Sequence, residues 1–176
     1  MQGKSVHRIA VTALIAAVYA ALTMVLGSLS YGPVQFRIAE ALCVLPFFFP
    51  WTAWGLTLGC LIANLLSPYG PIDIVFGTLA TLLSVLSVAA LGRGDRGSWT
   101  NCILACLMPV LFNAVIVGAV IAFGETGQLF AGAFWPAFWF NAATVGLGEA
   151  AVLYVLGLPL LRWLPRSRIF AQFAGQ

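Results

Sequence analysis

Six polar side chains interrupt a sequence that is otherwise almost wholly apolar: Arg37, Glu40, Asn64, Asp73, Asn113 and Glu149. Near the centre of a lipid-embedded helix an ionisable side chain costs about 2.5–3.5 kcal/mol, so each of them needs a reason. Carboxylates accept hydrogen bonds, carboxamides accept and donate, and a guanidinium only donates. Three carboxylates with two or three carboxamides suit a flat ligand rich in N–H donors, such as a nucleobase. Bond-breaking chemistry finds no support. The chain has no HExxH, GxSxG or GxxxxGK[ST], and its single histidine, His7, reads as a solvated flanking residue. No catalytic residue is assigned. The four cysteines, Cys43, Cys60, Cys102 and Cys106, form no CxxC pair and have no histidine beside them. They read as small core residues rather than metal ligands.

Each of the six also has a plain structural reading. Arg37 and Glu40 stand at i, i+3, on one side of a helix, and pair locally or face a pocket. Asp73, just after Gly70-Pro71, suits a helix start, where the macrodipole favours an acid. Asn64 can close its helix, and Asn113 can hydrogen-bond to a neighbouring one. Glu149 is different. It follows Gly148, no basic residue lies within two helical turns, and its neighbours are Leu, Ala and Val. It is neutralised, faces a wet cavity, or meets a partner from another helix. Asn141 lies on the same stretch.

The elements that must hold these groups are membrane helices. Of 176 residues, 62% are hydrophobic and only 7% charged, with a mean hydropathy of +1.03. That is far from the roughly 25% charged residues of a soluble domain. A net charge of +3 gives no sign of a nucleic-acid partner. Breaks at Pro, Gly and the few charges predict six spans at about 8–29, 35–49, 51–66, 72–91, 101–123 and 134–163. The second and third are short and joined by a tight turn at Pro50. The expected fold is an all-α integral membrane protein, a six-transmembrane-helix bundle forming a single domain over 1–176. With both termini cytoplasmic, Lys4, Arg8, Arg93, Arg96, Arg162, Arg166 and Arg168 all fall inside, seven of the eight basic residues, with Arg37 outside. A cleaved signal peptide is the rival for the first span, but its apolar run is too long.

All of the buried polar residues but Glu149 and Asn113 then fall in the outer half, which points to a pocket open to the outside. Tyr31, Tyr69, Phe36, Phe76, Trp135 and Trp139 stand at the same level, as an interfacial belt or as stacking surfaces. On the first helix Ala13, Ala17 and Ala21 recur every four residues, with Ala16 and Ala20 beside them. Such a flat stripe serves close packing within the bundle or docking to a second membrane protein.

The ordered blocks Gln35-Phe36-Arg37-Ile38-Ala39-Glu40-Ala41-Leu42, Leu45-Pro46, Gly55-Leu56, Gly59 to Asn64, and Asp73 with Val75 to Leu83 resemble the queuosine-precursor transporter family (the QueT group). The likeness continues through Asn113, Gly148-Glu149 and Gly157-Leu158-Pro159. It implies a substrate-binding S component of an energy-coupling-factor (ECF) transporter in the plasma membrane. Such a component captures a vitamin-like molecule outside and works with a transmembrane coupling protein and two ATP-binding-cassette ATPases. The implied ligand is a 7-deazaguanine: the 7-cyano or 7-aminomethyl base, or queuine. The implied docking face is Ala13, Ala17 and Ala21. Glu40 or Glu149 would read the guanine edge, Asn64 and Asn113 would flank it, Asp73 would sit at the rim, and Arg37 would orient Glu40. Two rivals share the architecture: an S component for riboflavin or thiamine, and a self-sufficient proton-coupled secondary transporter using Glu149. A membrane-embedded enzyme lacks any catalytic constellation.

Overall fold

The computed structural model describes residues 2–30, 36–167 and 170, with the backbone alone for residues 2–5 and 28. Tyr31, Gln35, Arg168 and the Lys4 side chain, all used above, lie outside this description. The described chain is helical throughout, with no strand. Eight α-helices occur in order: α1 (Gln2–Val25), α2 (Gly27–Ser30), α3 (Thr52–Asn64), α4 (Pro71–Leu91), α5 (Trp99–Phe112), α6 (Gly118–Thr126), α7 (Phe134–Val152) and α8 (Leu158–Trp163). Two π-helical turns, Asn113–Val117 and Leu153–Gly157, fuse α5 to α6 and α7 to α8. Among the described residues, four helices are long and apolar enough to cross a membrane: Val6–Val25, Pro71–Leu91, Trp99–Thr126 and Phe134–Arg166. Large apolar side chains such as Val25, Leu147 and Trp139 face outward while Arg37, Glu40, Asp73 and Glu149 are buried. This inverts the soluble pattern and suits lipid as the solvent.

Between α2 and α3 lies a 3-10 helix, Ile38–Phe47. Ten residues is long for this form, whose runs seldom exceed three or four. Its i→i+3 geometry stacks every third side chain, and Glu40, Cys43 and Pro46 form one buried row beside Ala41, Val44 and Phe47. Its rise of about 2.0 Å per residue gives roughly 20 Å of depth, about the length of α3 at 1.5 Å per residue. The expected pair of short segments about Pro50 is thus present, but the first is a 3-10 helix rather than an α-helix.

Small residues set the distances between helices. A Cβ on Gly55 would lie 2.5 Å from the Thr12 carbonyl oxygen, and one on Gly59 2.7 Å from that of Ala16. Ala16 and Ala20 are buried on this seam, whereas Ala13, Ala17 and Ala21 are exposed. The alanine stripe therefore divides: one edge packs α1 against α3, and the other faces away from the bundle. On the far side Gly118 meets Ala142, and Gly146 meets Ala114, which draws α6 onto α7. Gly92, which ends α4, lies so close to the Phe47 carbonyl that a Cβ would collide with it. All four cysteines are buried and free: Cys102 and Cys106 in a cluster with Val44, Phe47 and Leu153, Cys43 and Cys60 in one with Tyr19 and Leu56.

Candidate functional site

The six polar residues read from the sequence are each no more than 1% exposed, and they meet in the bundle interior. Arg37 caps the start of the 3-10 helix. Its Nε donates to the Ser30 carbonyl at 3.4 Å, and its Nη2 reaches Asp73 Oδ2 at 3.9 Å. The ion pair formed here by Arg37 thus runs to α4. Glu40, one 3-10 turn on, takes the Tyr19 hydroxyl from α1. Asn64, at the end of α3, donates to the Asp73 backbone carbonyl at 3.2 Å and to Cys60 Sγ at 3.4 Å. Gly77 leaves room for this arrangement: a Cβ there would stand 2.5 Å from Asp73 Oδ1 and 2.8 Å from Asn64 Nδ2.

The other half of the cluster comes from the two spliced helices. Asn113 opens the π turn that follows Pro109, and Glu149 stands four residues before the π turn that precedes Pro159. A π turn accommodates backbone groups that proline leaves unbonded and rotates the side chains around it. Asn113 Nδ2 donates to Glu149 Oε1 at 3.2 Å across the tight α6–α7 seam. Glu149 is in turn within electrostatic reach of Glu40 and Arg37. Glu149 therefore meets partners from other helices, one of the three situations open to it.

The hydrogen-bonding capacity left over leans toward acceptors: six acceptor oxygens stand beside Arg37 Nη2, which reaches Asp73, and the Ser30 and Thr78 hydroxyls. Glu40 Oε2, Asn64 Oδ1, both Asp73 carboxylate oxygens, Asn113 Oδ1 and Glu149 Oε2 are buried without a hydrogen-bond donor among the described residues. These six are all acceptors, and leaving such groups unsatisfied in a low-dielectric interior is costly. With Arg37 as the one cation among three carboxylates, the formal charge of the cluster is negative. The arrangement is built to receive N–H donors and positive charge.

Sequence reasoning missed three members. Tyr19 is fully buried and supplies Glu40 with its donor, Thr81 donates to Cys60 Sγ at 3.1 Å, and Glu125 receives Asn141 Nδ2 at 2.9 Å. A tyrosine within an alanine- and leucine-rich helix was the available signal for the first. Glu125 is exposed, whereas Asp73 is buried. Partial burial pushes the Tyr69 phenol above its ordinary value, with smaller contributions from Glu125 and Asp73, so the hydroxyl keeps its proton. Of the other aromatics, Phe76 and Trp135 line an apolar groove of about 700 Å³ with Phe134 and Phe138, while Phe36 and Trp139 are exposed. No metal-binding group of three or more His, Cys, Asp or Glu occurs among the described residues.

The profile of the QueT transporter family matches residues 9–166, which includes every residue of this cluster. The chain belongs to the QueT transporter family. A relative from Lactococcus lactis subsp. cremoris (strain MG1363), the queuosine precursor transporter QueT, is 32% identical over 158 residues, covering 88% of this chain and 90% of that one. The family read from Gln35 to Leu83 is thus borne out over nearly the whole length. No solved structure matches the chain. As a QueT transporter with four long apolar helices, it is a multi-pass membrane protein.

Proposed function

We propose that this protein captures a queuosine precursor, a 7-deazaguanine base, outside the cell and works as the S component of an ECF transporter in the plasma membrane. The observation that carries the reading is the inward-facing set of acceptor oxygens on Glu40, Asn64, Asp73, Asn113 and Glu149. A guanine-like edge offers N1–H and the exocyclic amine, which one carboxylate accepts in bidentate fashion. A 7-aminomethyl group adds a cation, which calls for a second carboxylate. Glu40 and Glu149 stand close enough to divide these tasks, with Asn64 and Asn113 flanking the ring. Asp73, paired with Arg37, lies toward the rim. Because the cluster is closed, the outer helix ends must part to admit the base.

In this reading the chain is not an enzyme, and the energy comes from partners: a transmembrane coupling protein and two ATP-binding-cassette ATPases. The outward edge of α1, Ala13, Ala17 and Ala21, is the docking face. It is flat, exposed, and separate from the edge that packs on α3. Six spans complete the topology, with the 3-10 helix and α3 as two shallow ones and both termini inside.

The test is calorimetric binding of the 7-aminomethyl base to the purified protein and to Glu40→Gln and Glu149→Gln. The expected loss in at least one variant is about 10- to 100-fold, the range for a hydrogen bond to a charged group. Unchanged affinity in both overturns the site. Tight riboflavin or thiamine binding with none for deazaguanines overturns the substrate class. Uptake by the chain alone in proteoliposomes under a proton gradient favours the secondary transporter instead.

A further inference from the structure

At the end of the bundle opposite the polar cluster, three arginines from separate segments surround one cavity of about 330 Å³: Arg96 from the α4–α5 loop, Arg162 from α8, and Arg166 from the 3-10 turn after it. Its remaining walls are chiefly apolar, with Phe48, Leu161 and Pro165 among them. We propose that this cavity binds the phosphate of an anionic phospholipid headgroup.

Charge alone is ordinary at the end of a membrane bundle, but these side chains are held in place. Arg96 Nε donates to the Gly92 carbonyl at 2.7 Å, at the end of α4. Arg162 Nη1 donates to the Gly97 carbonyl at 2.9 Å, and its guanidinium lies 4.2 Å from the centre of the Trp99 ring. Each of these contacts leaves further N–H donors on the same guanidinium, and an arginine fork matches two phosphate oxygens. None of the three forms an ion pair with a carboxylate among the described residues. Asp95, the one acid in the loop, is turned onto the Gly97 N–H at 2.8 Å. The cavity therefore concentrates positive charge that no carboxylate among the described residues neutralises.

Depth decides between a lipid and a dissolved anion. Trp99 and Trp163 are exposed beside the arginines, and exposed indoles sit at the headgroup level of a bilayer. An apolar floor under three cations fits a diester whose glycerol and acyl chains continue along the bundle. A small inorganic anion has no use for that floor.

Native mass spectrometry of the detergent-purified protein tests the site, with short-chain phosphatidylglycerol, short-chain phosphatidylcholine or inorganic phosphate added at equal concentration. Phosphatidylglycerol should form a one-to-one adduct at least about tenfold more readily than phosphatidylcholine. Arg96→Gln/Arg166→Gln should erase that preference. Arg93→Gln, in the same loop but outside the cavity, should keep it. Arg162 is left intact because it also fastens the loop, and matched thermal unfolding of the variants establishes that they are folded. Equal adducts with the two lipids, a preference that survives the double substitution, or phosphate binding as tight as the lipid's each overturn the proposal. Loss of a co-purified protein partner from the double variant, with lipid preference unchanged, also overturns it.

Discussion

Glu40 and Tyr19 show what a membrane interior demands of single residues. Glu40 was conspicuous in the sequence because a charge in an apolar run is costly, and the same reasoning found Arg37, Asp73 and Glu149. Tyr19 escaped it, since tyrosine is at home in a membrane helix and its hydroxyl declares a role only when its partner is known. Thr81 and Cys60 escaped for the same reason. Two outcomes follow at this scale. Tyr19→Phe removes the hydrogen-bond donor to a buried carboxylate, so thermal unfolding of the ligand-free protein should show a loss of about 1–3 kcal/mol. Glu149→Gln replaces a buried carboxyl by an amide that can still accept from Asn113. Its thermal stability should equal or exceed that of the parent even as base affinity falls. A Glu149→Gln protein that unfolds more readily than Tyr19→Phe would mean that the carboxylate is structural.

Among the elements, the apolar run before Pro50 was legible as a short segment. Its 3-10 form was not, because periods of 3.0 and 3.6 drift apart by only about two residues over so short a stretch, and, Glu40 apart, the run is apolar on every side. The two π turns were equally hidden. Pro109 and Pro159 marked disturbances, but a sequence does not say how a neighbouring helix will accommodate them. Glycines carry more than their motif positions suggested. Gly59→Leu should force α1 from α3, because its side chain would begin 2.7 Å from the Ala16 carbonyl, and should lower the unfolding temperature sharply. Ala17→Leu, on the exposed edge of the same helix, should leave unfolding unchanged while weakening co-purification with the coupling protein proposed above. Equal destabilisation by both would remove the distinction between the two edges. Gly77→Ala belongs to the same class. It would press on Asp73 and Asn64, so its effect should appear in base affinity more than in unfolding.

For the molecule as a whole, the question is how many times the chain crosses the bilayer. Hydropathy by itself supports the four long helices, and the basic residues gather on one side equally with four crossings or with six, where Ile38–Phe47 and Thr52–Asn64 are the extra pair. Each of these is roughly 20 Å long, short of a ~30 Å hydrocarbon core. Tilted neighbours and a thinned bilayer are the usual means of covering such a deficit. The two topologies disagree about one place, the turn between these helices. In a four-crossing chain Pro50 lies on the same side as Pro68 and Gln128. In a six-crossing chain it joins Asp95 on the other side. The four native cysteines are buried, so a membrane-impermeant thiol reagent should report mainly on introduced ones. Pro50, Pro68, Asp95 and Gln128 are all exposed, and each can be replaced by cysteine in turn. In sealed cells Pro68→Cys and Gln128→Cys should label, while Pro50→Cys and Asp95→Cys should label only after the membrane is opened. Labelling of Pro50→Cys in sealed cells would reduce the bundle to four crossings. Arg37 and Glu40 would then lie in a segment that dips into the membrane and returns, and the binding site would be reached from that loop rather than between full spans.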